Sequence, residues 1–120
     1  MTGDVIGIVG SDVAAVTAVV GNAQAYAAIS MSGATRKAYQ GDWSDFQGWC
    51  DRLGLQALPA APETVGAYLA AKTKLLAVST LMRRLAAVAT AHRLAGHQLD
   101  TRHPAIRDVM RGIRRVHGVA

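Results

Sequence analysis

The sequence predicts an all-α protein, and three observations carry that prediction. At 120 residues the chain is one domain's worth, long enough to bury a core without cross-links. It is 51% apolar but only 5% aromatic, and Ala, Val and Leu fill most apolar positions, a composition suited to close-packed helices rather than to a sheet. Apolar residues also recur at three- and four-residue spacing in five successive segments, with no internal repeat and no low-complexity tract.

The first segment, roughly residues 12–29, puts Val13, Val16, Val20, Ala23 and Ala27 on one stripe, weakened by Gly21 and Asn22. Ser30 to Gly33 is a flexible break, so residues 1–31 are expected to form an N-terminal arm with a first helix, and residues 32–120 the main helical domain.

The second segment, roughly residues 34–53, brings Tyr39, Trp43, Phe46, Cys50 and Leu53 onto one stripe, which makes them expected core. Its other face carries Arg36, Lys37, Gln40, Gly41, Ser44 and Gln47, with the positive charge gathered in the first turn. Cations at a helix start oppose the dipole by about 0.3 kcal/mol or more, so their placement suggests an anion nearby. Gly41 and Gly48 each cost about 1 kcal/mol of helix propensity relative to Ala. On an exposed face such a glycine either admits another backbone or is merely tolerated.

A Pro-bounded turn then leads to the third helix, with Pro62 at its first position, Glu63 beside it, and Val65, Tyr68 and Leu69 inward. It ends near Lys72 to Lys74. The fourth is expected to turn Leu81, Leu85, Val88 and His92 or Ala89 inward and to stop at Gly96. Ser79 and Thr80 stand at its start, and Arg83 and Arg84 lie off the apolar stripe. The fifth opens at Pro104, with Ile106, Val109, Met110 and Ile113 inward and Arg107, Arg111, Arg114 and Arg115 outward.

Charge is distributed unevenly. The net charge is +5, but residues 1–30 contain no Lys or Arg and two acids, Asp4 and Asp12, so all 13 cations face the six remaining acids, a surplus of seven. That is an electrostatic footprint for a polyanion, or else a device for solubility. Two helix starts combine small hydroxyls with cations: Thr35, Arg36 and Lys37 on one, Ser79, Thr80, Arg83 and Arg84 on the other. Brought together they would offer the groups used for phosphates and for base edges in a major groove.

Other chemistries lack their residues. The one cysteine cannot form an internal disulfide, which points to the cytoplasm, and Cys50 sits on an apolar stripe as an expected buried thiol. The first twenty residues lack a leading cation, unlike a signal peptide, and no uncharged run spans a bilayer, so no membrane association is expected. His92, His97, His103 and His117 lack ligand spacing or a cysteine or carboxylate cluster, so no metal is expected, and Gly7 to Gly10 is neither a phosphate loop nor a dinucleotide fingerprint. No cofactor is implied.

Four motifs follow one another: TRKAY with later Trp43, Phe46, Trp49-Cys50 and Leu53-Gly54; LPAAPETVGAYL; AVSTLMRRLAAVATAHRLAG; and HPAIRDVMRGIRR. Together, over about residues 32–117, they resemble the N-terminal core-binding domain of the tyrosine recombinases, the phage-integrase family, and in spacing look closest to Cre-type recombinases. The resemblance implies a compact four- to five-helix orthogonal bundle, SAM-like, forming half of a clamp around duplex DNA. The positions matching the family's groove-facing helices are Thr35, Lys37, Ala38 and Gly41, then Ser79, Thr80 and Arg83. Arg36 and Gln40 share the first of those faces, Arg84 joins by the local charge pattern, and Arg114 and Arg115 match the place where the family's chain leaves along the DNA backbone. Ala38 and Gly41 offer little with which to read a base.

The resemblance further implies that the first helix packs against a neighbouring recombinase subunit on DNA; closure of the domain's own core is the alternative for the same stripe. The family's tyrosine nucleophile and its Arg, Lys and His partners lie in a separate C-terminal domain. Tyr26, Tyr39 and Tyr68 all precede any place where it could start, and the His92 to His97 stretch matches its histidine-arginine box only by coincidence. No catalytic residue is assigned, and the expectation is a non-catalytic DNA-binding fragment of a recombinase. A helical module whose basic face meets an acidic protein partner is the rival expectation.

Overall fold

The computed structural model describes residues 32–118, and these form four helices with no strand among them: α1 (Gly33–Leu53), α2 (Pro62–Lys72), α3 (Val78–Leu94) and α4 (Pro104–His117). The expected arm and first helix, with its Val13, Val16 and Val20 stripe, lie outside the described residues. The other four expected helices are all present.

Their boundaries follow from local chemistry. Ser32 opens α1 by accepting the Thr35 N–H on its hydroxyl at 3.1 Å. Gly54 closes it in the left-handed region (φ 69°), where Leu55 N–H reaches back to the Cys50 carbonyl at 2.9 Å. Pro62 and Pro104 stand at the first position of α2 and α4, where a missing N–H costs nothing. His103 caps α4, its Nδ1 accepting from Ala105 N–H at 3.0 Å. No side chain caps α3, which leaves the Ser79 and Thr80 hydroxyls free of that task.

The core gathers Phe46 and Cys50 of α1, Val65, Tyr68 and Leu69 of α2, Leu81 and Val88 of α3, and Ile106, Met110 and Ile113 of α4. Two helix pairs build it, α1 against α3 and α2 against α4. In the second pair, Gly66 lies so close to the Ala105 carbonyl that a Cβ there would overlap its oxygen. The loop before α2 is pinned to α3 by His92, which is fully buried. His92 Nε2 accepts from Ala60 N–H at 2.9 Å and Nδ1 lies 2.8 Å from the Val88 carbonyl, so the neutral ring protonated at Nδ1 satisfies both bonds. Burial, with His97 nearby, holds the His92 pKa below its ordinary 6.5 despite the bond to Val88.

The core stripe of α1 departs from expectation. Phe46 and Cys50 are fully buried, but Leu53 is 58% exposed and Tyr39 and Trp43 are only partly covered. The innermost line is Asp42, Phe46 and Cys50, at steps of four, so the buried face is turned toward a carboxylate that the apolar pattern skips. Leu53 sits in the last turn of the helix and stays mostly in contact with water. In α3 it is His92, not Ala89, that is buried, while Leu85 and Val109 are partly buried at the core's margin.

Candidate nucleic-acid interface

The contacts between α1 and α3 show how these helices cross. Asp42 and Asp45 meet Arg83 and Arg84, near the start of α3, whereas Arg36, Tyr39, Gln40 and Trp43 share a groove with Ala87, Thr90, Ala91 and Leu94, toward its end. The start of α1 therefore lies over the C-terminal half of α3. The two hydroxyl-and-cation starts do not converge: Arg83 and Thr90 alone are about two turns, or ~10 Å, apart along α3.

At the α1 start, Thr35, Lys37 and Gln40 are exposed and Arg36 is partly so. The Thr35 hydroxyl accepts from Ser32 Oγ at 2.8 Å, which fixes its direction. Gly41 is exposed one turn further on, and a Cβ there would meet nothing within 4 Å. Among the α3 groups, Ser79 is exposed and Thr80 partly buried. Arg114 is partly buried and Arg115 exposed in the last turn of α4, where their charges also suit the negative end of the helix dipole.

Arg83 and Arg84 differ from these and from each other. Arg83 grips Asp42 with two parallel bonds, Nε to Oδ2 and Nη2 to Oδ1, both 2.9 Å. Its side chain remains 47% exposed while that of Asp42 is only 3% exposed. The carboxylate thus stands behind the guanidinium, and its hydrogen bonds, then its charge, raise the Arg83 pKa. Arg84 turns inward, its side chain 16% exposed. Its Nη1 donates to the Tyr68 hydroxyl at 2.7 Å and lies 2.6 Å from Asp45 Oδ2. Its Nε is 3.2 Å from Asp42 Oδ1, but the angle gives attraction between charges without a hydrogen bond, and this buried N–H has no partner.

Tyr68 completes the cluster by donating to Asp45 Oδ2 at 2.6 Å, with Lys72 Nζ 3.4 Å from the same oxygen. Burial would raise the Asp45 pKa; the Tyr68 hydrogen bond and the Arg84 and Lys72 charges outweigh it and bring it below the ordinary 3.8. Burial, then the bond to Asp45, pushes the Tyr68 hydroxyl upward, so it remains a phenol and a donor. For Arg84, burial opposes the charge, and Tyr68, Asp45 and Asp42 more than restore it.

The two carboxylates are the residues that the expected apolar stripe passes over. A signal for Asp42 exists all the same: it stands four residues before Phe46 and eight before Cys50, so a helix burying those two buries it as well. A carboxylate on that line calls for a cation across the interface, and two stand side by side on α3. Among the described residues there is no group of three or more His, Cys, Asp or Glu able to hold a metal ion, and no helix long and apolar enough to cross a membrane.

No protein-family model matches the chain. It is similar to an integrase/recombinase xerD homolog of Selenomonas ruminantium, 40% identical over 89 residues. The match takes in 70% of this chain, which spans about a quarter (26%) of that relative. By this partial homology, and by a compact four-helix fold consistent with an N-terminal core-binding domain, the chain is a relative of the tyrosine recombinases.

Proposed function

We propose that this chain binds duplex DNA as the core-binding half of a recombinase clamp, presenting the start of α1 and the start of α3 to the major groove and its flanking phosphates. The observation that carries the reading is Arg83, held half-exposed in a fixed orientation with its counter-charge buried behind it. Thr35, Arg36, Lys37 and Gln40 form one contact patch and Ser79, Thr80 and Arg83 the other. Arg114 and Arg115 reach the phosphate backbone beyond them. Arg84 serves from within, as part of the cluster that holds Arg83 in place. The separation of the two starts suits a surface that follows a groove, not one that encloses a single phosphate.

The chain binds without cutting: catalysis belongs to a domain carrying the tyrosine nucleophile, and the cytoplasm is where DNA and further recombinase subunits meet it. The first helix, outside the described residues, is proposed as the contact to a neighbouring subunit. Fluorescence anisotropy with a random duplex across a salt series tests the reading. Affinity is expected to fall log-linearly with salt, and a Lys37→Ala, Arg83→Ala double variant is expected to lower the slope by up to about 0.9 for each phosphate contact removed. Absence of binding at low salt would overturn the reading and favour an acidic protein partner.

A further inference from the structure

We propose that Asp42 is a positioning residue for DNA contact, bracing the Arg83 guanidinium so that its remaining donors meet a phosphate already oriented. The inference rests on the DNA-binding reading above. A guanidinium has five N–H donors; Asp42 takes one from Nε and one from Nη2, which leaves both on Nη1 and the second on Nη2 to point away from the carboxylate. An unbraced arginine loses rotamer freedom when it meets an anion, and here that freedom is already lost on folding.

The carboxylate does not repel the arriving phosphate as an exposed one would, because it is almost wholly covered and Arg84 Nε lies 3.2 Å from Oδ1, the oxygen that Arg83 Nη2 also meets. Within the cluster, Arg83, Arg84 and Lys72 outnumber Asp42 and Asp45 by one charge, so the exposed edge stays positive.

Simple charge counting and positioning predict opposite signs. Removing a carboxylate near a phosphate site strengthens binding if only net charge matters; it weakens binding if Asp42 orients Arg83. The test measures duplex affinity and its salt slope for the 120-residue chain, for Asp42→Asn, for Arg83→Ala and for the double variant, at a temperature where circular dichroism shows each folded. Asp42→Asn is expected to weaken binding roughly three- to tenfold and to lower the salt slope toward that of Arg83→Ala, with no further loss in the double variant.

Unchanged or tighter binding by Asp42→Asn overturns the inference, as does an equal loss in the Arg83→Ala background. If Asp42→Asn does not fold, Arg83→Lys decides. It keeps the charge but cannot make the two-pronged bond, so it is expected to bind more weakly, and wild-type affinity would overturn the inference. Failure of the unmodified chain to bind DNA is a different result, and removes the DNA-binding reading with this one.

Discussion

Where α2 packs on α4, nothing stands between the backbones but the hydrogen of a glycine; where α1 crosses α3, two carboxylates, two guanidiniums and a phenol do. Both junctions join one helix pair of the core, by opposite means. The Gly66 junction works because a side chain is missing, so any addition must move Ala105 and with it α4. The charged junction removes Asp42 from water and recovers the loss by pairing. A buried ion pair gives little net stability over apolar residues of equal volume. Its distinguishing product is a guanidinium at the surface in one orientation, and that separates a junction built for packing from one built also for presentation.

The largest effect that would sharpen this contrast is expected from Gly66→Ala. The atom met is backbone and cannot swing aside, so a loss of about 3 kcal/mol is expected, read as a lower urea midpoint. A near-neutral result would mean that α4 slides freely and that the close junction is no constraint. Next comes Asp42→Ala, which leaves Arg84 half-paired in a covered site. A loss of about 2 kcal/mol is expected, less than for a wholly buried pair because Arg83 can turn to water. Were it to exceed the Gly66→Ala loss, the ranking of the two junctions would be inverted.

Tyr68→Phe keeps the ring contacts with Phe46 and Trp49, whose centroids lie 5.0 and 5.4 Å from that of Tyr68, and removes only the hydroxyl joining Arg84 to Asp45. A loss of about 1 kcal/mol is expected in thermal unfolding. Gly41→Ala, on the open face of α1, is expected to change sign and stabilise by up to about 1 kcal/mol. If DNA comes close there, the same variant binds more weakly while melting higher.

Acid acts on two groups in the same direction but in separate windows, and only one of them, Asp45, belongs to a junction. His92 is neutral in the fold with a lowered pKa, so below pH 6.5 the unfolded chain takes up a proton that the native state refuses, and stability falls as the pH drops from there toward the native value. Asp45 has a lowered pKa as well; its contribution is full above 3.8 and is lost as the pH falls below that toward its native value. Urea midpoints measured from pH 7.5 to 3 should therefore fall in two windows. His92→Gln should flatten the upper one, while Gly66→Ala, with no titrating group, should shift the whole profile without reshaping it.

The helices were legible in the sequence because their signals are local: Pro62 and Pro104 at starts, Gly96 beyond an end, and apolar periodicity between. The buried faces of α2 and α4 were legible for the same reason. The inner line of α1 was not, since an apolar pattern passes over a buried acid, and Leu53 looked inward only by its spacing on the stripe. Arg83 and Arg84 are adjacent in sequence, and both were expected on the DNA face, Arg83 by the resemblance and Arg84 by the local charge pattern. Their different surroundings come from residues 41 and 39 positions earlier, a distance over which only the fold brings groups together.

Cys50 carries a consequence of another kind. It is the chain's sole thiol, lies fully within the core, and has its pKa raised by burial and then by Asp51. A disulfide reagent needs an accessible thiolate, and the closed domain offers neither access nor thiolate. Modification must wait for the interior to open, so where reclosing outpaces reaction, the colour released by an aromatic disulfide follows the population of open molecules. The domain carries an internal clock for its own breathing, readable with and without DNA and with no label added.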